Sequence, residues 1–168
     1  MKLIDANIFM YAAGSEHPIK SKSLRFLRKL SRPKVSLEYC TNIEVIQEIF
    51  HQYQSLNRFE VAASILESIV SLNIEILPIE FTDLVYCHQL IRNEKNLSGR
   101  DAIHAAFIQR NSLQGIVSFD KDFDELDGIL REEPRKTSFI DWSNFRLHIC
   151  ILDGFRELLS RRGRYCFH

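Results

Sequence analysis

The chain has 168 residues, 45% of them hydrophobic and 26% charged, which suits one globular domain able to bury a sizeable core. Lys+Arg and Asp+Glu both number 22, so the net charge is zero and gives no global pull towards nucleic acid; any such binding must come from a local basic surface or from metal ions. The four cysteines form no C-x-x-C pair and no H-E-x-x-H occurs, which argues against a zinc site and for free thiols in a reducing cytoplasm.

The first stretch, MKLIDANIFMYAAG, is too short and too interrupted by Asp5 for a signal peptide. No apolar run approaches the roughly 20 residues of a membrane span. Lys2-Leu3-Ile4 reads as a buried strand ending in a polar turn, Asp5-Ala6-Asn7, which puts Asp5 at the strand's carboxyl end. Residues 16–31 read as a helix started by His17-Pro18, with Leu24, Phe26, Leu27 and Leu30 on its apolar face. Its many Lys and Arg residues make a solvated face that can also meet phosphates. Pro33 ends this helix, and Lys34-Val35-Ser36-Leu37 is expected as a short strand.

Thr41 or Asn42 then caps a helix running through about Tyr53; Asn42 is better placed because it directly precedes the first apolar residue. Ile43, Val45, Ile46, Ile49 and Phe50 are its core candidates. Glu44 and Glu48 share one face of it, four residues apart. Residues 58–72 form a further helix, with core candidates from Phe59 to Val70. Glu75–Ile79 reads as a strand, and residues 82–94 as a helix with Leu84, Val85, Cys87, Leu90 and Ile91 inside. A helix over 99–112 and a buried strand over 115–119 complete the pattern. Short apolar strands separated by helices predict a small parallel sheet covered on both faces.

Asp101 opens the helix over 99–112, and Asp120 follows the strand after it. Each has a plain structural reading. Ser98-Gly99-Arg100-Asp101 has capping-box spacing, and Asp120 can open a turn. Yet Asp5, Glu48, Asp101 and Asp120 fall at a strand tip, on a helix, at a helix mouth and at a second strand tip. Two strand tips at one edge of a parallel sheet converge on a crevice. Carboxylates gathered there need a cation, and an all-oxygen ligand set favours Mg²⁺ or Mn²⁺. Such a site can polarise a phosphodiester and activate water without a Ser, Cys or His nucleophile.

Four segments carry a resemblance in this order: LIDANIFMYA, IEVIQEIFHQY, GRDAIHAAFIQRN and IVSFDKDFDEL. Together they resemble the PIN domain, and especially the VapC-like toxin ribonucleases of toxin–antitoxin pairs, over about residues 1–133. The resemblance implies a three-layer α/β/α sandwich with a small central parallel sheet. It also implies an endoribonuclease dependent on Mg²⁺ or Mn²⁺, a cognate antitoxin partner and a homodimer. Asp5, Glu48, Asp101 and Asp120 match the family's acidic quartet, with Asp5 and Asp101 the foremost metal ligands. Asn7 and Ser118 match polar positions beside it. Glu48 is preferred to Glu44 because it precedes Ile49-Phe50 as the motif does. Asp122 is a possible assistant. The D-x-D-x-D run from Asp120 is no calcium loop, because its sixth position is Glu125 and its twelfth Arg131.

Residues 1–135 are therefore expected to be the nuclease domain. Residues 136–168, apolar at Leu147–Leu152 and basic and aromatic at the end, are an extension beyond the family pattern. It reads as a functional addition, a docking or dimer element, or a translation artefact. The rival from another class is a non-catalytic RNA-binding or protein-interaction module on the same fold. A phosphotransfer receiver domain is disfavoured, since Asp5 is followed by Ala6 and Asn7 rather than by a second acid.

Overall fold

The computed structural model of the chain describes residues 1–93 and 97–134. Their strands form one sheet: β1 (Lys2–Ile4), β2 (Tyr39–Asn42), β3 (Glu75–Leu77), β4 (Ile116–Val117) and β5 (Arg131–Glu132). All pairings are parallel, in the order β3-β2-β1-β4-β5. The chain winds outwards from β1 to β3, then returns to the far side of β1. The direction of winding thus switches between β1 and β4, where a parallel sheet opens a crevice at its carboxyl edge.

The helices among the described residues are α1 (Ala6–Ala13), α2 (Pro18–Leu30), α3 (Pro33–Ser36), α4 (Ile43–Ser55), α5 (Phe59–Ser71), α6 (Phe81–Asn93) and α7 (Gly99–Arg110). A 3-10 turn follows at Lys121–Glu125. Successive strand residues face opposite sides of the sheet, and the core divides accordingly. Ile4 and Val117 pack with Ile8, Phe9, Phe26, Val45, Ile49, Ile65 and Ile69, the side covered by α1, α2, α4 and α5. Leu3, Cys40 and Ile116 pack with Ala105, Phe107 and Ile108 of α7 on the other side. Cys87 of α6 meets Ala102 and Ala106 of α7. The result is the expected three-layer α/β/α sandwich with a central parallel sheet. The helix that carries Asp101 is further fixed by Asp83 of α6. That carboxylate is fully buried, accepts from Arg110 Nε at 2.5 Å and from the Glu80 amide at 2.7 Å, and so ties α6 to α7.

Several local expectations change. The polar turn after β1 does not form. Helix α1 starts at once at Ala6, its first turn closed by the Ile8 amide on the Asp5 carbonyl at 3.2 Å, because Ile8, Phe9 and Ala12 are drawn into the core. The strand expected at Lys34–Leu37 is instead the single helical turn α3. Pro33 presets its first residue, the Ser36 hydroxyl donates to the Pro33 carbonyl at 3.0 Å, and the strand follows at β2. Leu84, Val85 and Ile91 of α6, expected inside, are exposed, since only the stripe bearing Asp83, Cys87 and Leu90 faces α7. The edge strand β5 has no counterpart in the sequence reading. The extension over 136–168 lies outside the described residues.

Gly115 shows how tightly β5 is seated. Its φ is +140°, and a Cβ there would lie 1.9 Å from the Leu130 carbonyl oxygen, the acceptor of the Ile116 amide. Gly115→Ala combines backbone strain with a clash against main chain that cannot yield. We expect it to cost roughly 2–4 kcal/mol in a denaturant melt. A loss within about 0.5 kcal/mol of zero, the range of an ordinary surface change, would contradict this packing.

Candidate active site

The switch between β1 and β4 carries a cleft of about 730 Å³ lined by Asp5, Glu48, Asp101 and Asp120. The structure therefore brings the four predicted acids to one place, and Asn7 joins them in the lining. Glu44 and Asp122 stand outside its lining; Glu44 adds negative charge near Glu48 and Asp122 near Asp101.

Asp5 follows the last residue of β1, and its amide still donates to the Val117 carbonyl at 3.1 Å. Its Oδ2 accepts from Asn7 Nδ2 and from the Ser118 hydroxyl, each at 2.6 Å. Ser118, fully buried just past β4, also accepts from Asn7 Nδ2 and from the Asp120 amide, both at 2.9 Å. Asn7 and Ser118 thus clamp the Asp5 carboxylate and tie the tips of β1 and β4 together. Asp120 caps the 3-10 turn through the Asp122 amide at 3.0 Å, so its plain role as a turn opener is also real. The same holds for Asp101. Its amide donates to Ser98 Oγ at 3.1 Å, and the Ser98 hydroxyl donates back to its carboxylate. The cap that starts α7 thereby aims Asp101 into the cleft. Asp124 pairs with Arg131 at 2.7 and 2.8 Å and braces β5 instead of sharing the site.

Burial and mutual repulsion shape the charges. Burial pushes the Asp5 carboxyl up to about 7, with Glu48 and Asp101 adding and the Ser118 and Ala6 bonds opposing. Burial also raises Glu48, against the pull of Arg100, and raises Asp101, against its Ser98 bond. Arg100 Nη1 lies 2.7 Å from Glu48 Oε1, so a cation of the chain itself sits on one of the acids.

Among the lining residues that the sequence reading did not place in the site, Arg100 and His104 bear directly on its chemistry. His104 is 1% exposed, and burial, with Arg100 adding, holds its ring down at about 4, so it is neutral at physiological pH. A ring nitrogen of His104 and oxygens of Asp5 and Glu48 all lie within 4.8 Å of one another, a spacing that a metal ion can bridge. The available signal was the three-residue step from Asp101, which puts both side chains on one face of α7.

The family model of the PIN domain matches residues 2–129. A VapC ribonuclease of Mycobacterium bovis is 36% identical over 131 residues, 78% of this chain and 98% of the relative. Among solved structures, VapC20 of Mycobacterium tuberculosis, a sarcin-ricin loop cleaving toxin, superposes with a TM-score of 0.62 at 16% identity, over 77% of this chain and 97% of that one. A toxin–antitoxin complex from Klebsiella pneumoniae gives a TM-score of 0.55 at 16% identity, over 77% and 96%. The chain belongs to the PIN domain family, and within it to the VapC-like ribonucleases.

Proposed function

We propose that the chain is a metal-dependent endoribonuclease and the toxin of a toxin–antitoxin pair, with Asp5, Glu48, Asp101 and Asp120 as its catalytic carboxylates. The observation that carries this reading is the convergence of these acids on the cleft at the β1–β4 switch, one of them buried and pushed up to about 7. Acids so placed repel one another and are stable as anions only with a cation among them. Their oxygen donors fit Mg²⁺ or Mn²⁺. Such an ion, when bound, neutralises the carboxylates and polarises the phosphodiester for attack by water.

The chain's own residues do the rest. Asn7 and Ser118 hold Asp5 in one orientation through bonds of 2.6 Å. Ser98 does the same for Asp101. Arg100 pairs with Glu48 and is a rival to a cation for it. Arg100→Gln is therefore expected to tighten Mn²⁺ binding about 2–5-fold in a calorimetric titration, the worth of a partly exposed ion pair. Weaker binding by the variant would show that Arg100 supports the site instead.

The ribonuclease relative and the toxin–antitoxin complex among the structural neighbours support an RNA substrate and an antitoxin partner. A homodimer, a cytoplasmic location and a domain boundary near residue 135 belong to the same reading. Among the described residues no helix is long and apolar enough to cross a membrane. The test is to incubate the purified chain with a labelled single-stranded RNA pool, in Mn²⁺ and in EDTA. Cutting in Mn²⁺ alone is expected. No cutting, with no effect of Mn²⁺ on the melting temperature, would replace the enzyme by a non-catalytic interaction module.

A further inference from the structure

His104 Nε2 is buried without a hydrogen-bond partner among the described residues. An unpaired buried N–H destabilises a fold, so an orphan at the wall of a working cleft points to a missing acceptor. The surroundings decide which ring nitrogen carries the hydrogen. Asn42 caps α4 by accepting from the Val45 amide on Oδ1 at 3.0 Å. Its Nδ2, a donor, is thereby turned towards His104 Nδ1 at 3.4 Å. Nδ1 is then the acceptor, and the hydrogen of the neutral ring sits on Nε2. That assignment disfavours His104 as a metal ligand, despite a spacing that would admit it, because a ligating Nε2 would set Nδ1–H against the Asn42 N–H.

Two carboxylates have an oxygen within 4.8 Å of a His104 ring nitrogen, Asp5 and Glu48, and are the candidates for that acceptor. Asp5 already takes two side-chain donors on Oδ2. Glu48 is tied at Oε1 by Arg100, the group that a bound cation would displace. Glu48 is thus the acid that lacks a lasting brace once the site is loaded.

We propose that His104 is a positioning residue of the metal site, its Nε2–H donating to the Glu48 carboxylate and holding it for the cation. The inference rests on the metal-site reading above. It completes a relay from the cap of α4, through Asn42 and His104, back to Glu48 on the same helix. A donor without charge suits this task, since it orients the carboxylate without competing for the site as Arg100 does.

The test measures Mn²⁺ affinity from the EPR signal of free Mn²⁺ in the wild type, His104→Leu and His104→Gln, with EDTA melts to establish folding. His104→Leu should bind about 10–100-fold more weakly, as expected when the brace of a metal ligand is removed. His104→Gln, which restores an N–H donor, should recover most of that loss. Pulsed EPR of the Mn²⁺-loaded wild type should show no coupling to a directly bound ¹⁴N. Equal affinity in His104→Leu would reduce His104 to packing, and a strong ¹⁴N coupling would make it a ligand; either overturns the proposal. If His104→Leu does not fold, a His104→Gln protein as weak as an Asp101→Asn control overturns it too. A wild type that binds no Mn²⁺ would overturn the metal-site reading as well, and is recognisable as that separate failure.

Discussion

Asp5→Asn is expected to abolish RNA cleavage and, in EDTA, to make the protein more stable than the wild type. The two effects have one cause. Asp5 is buried beside Glu48 and Asp101, and its carboxyl is pushed from 3.8 to about 7. A raised acid pKa means that the ionised form is disfavoured in the fold. The penalty is absent below about pH 4, where Asp5 is protonated folded or unfolded, and is complete above about pH 7. It amounts to a few kcal/mol, on the order of 4. Asparagine removes the charge and keeps an oxygen for Asn7 and Ser118, whose bonds both go to one atom of the carboxylate. The variant's advantage in EDTA should therefore be largest near pH 8 and fade as the pH falls towards 4. Cleavage should drop by about 100-fold or more, beyond the loss expected for a group that merely supports a ligand. A variant less stable than the wild type at pH 8 would mean that the acid is held as a favourable anion by the chain alone.

Mn²⁺ affinity is expected to fall roughly tenfold between pH 7.5 and pH 6. A cation competes with the proton that Asp5 binds near pH 7. An acid at the ordinary carboxylate value would be ionised at both pH values and would give almost no change. Glu48 and Asp101, also raised by burial, push in the same direction. His104 stays uncharged across this range, being held down at about 4, so it does not mask the effect. Titration calorimetry at the two pH values reads the difference directly. An affinity independent of pH would separate Asp5 from the metal.

The ends of the parallel strands were legible because β1 and β4 are short apolar runs closed by acids. Asn42 was legible as a cap because it abuts Ile43, and the Ser98–Asp101 box because its spacing is fixed by the helix. What stayed hidden depends on partners distant in sequence. Strand β5 exists because Gly115 admits the Leu130 main chain, which no local pattern announces. The exposed flank of α6 looks like core by composition, and only the packing of the helix, with Asp83, Cys87 and Leu90 turned inwards, reveals otherwise. Arg100 reads as a neighbour of Asp101, but its partner Glu48 lies on α4. His104 hides among alanines and acquires meaning only through Asn42 and the acids across the cleft. Asp101 and Asp120 show that a structural and a chemical reading need not exclude each other, since Asp101 bonds with the Ser98 cap of α7, Asp120 caps the 3-10 turn, and both line the cleft.

The central claim is that this acid cleft cuts RNA, and the most direct test is cleavage by purified, Mn²⁺-replete Asp101→Asn beside the wild type. Asp101 is half-buried at the start of α7, where Ser98 can cap an asparagine as well as an aspartate, so the fold should survive. The wild type is expected to cut and the folded variant is not. Cleavage by Asp101→Asn at the wild-type rate would contradict it.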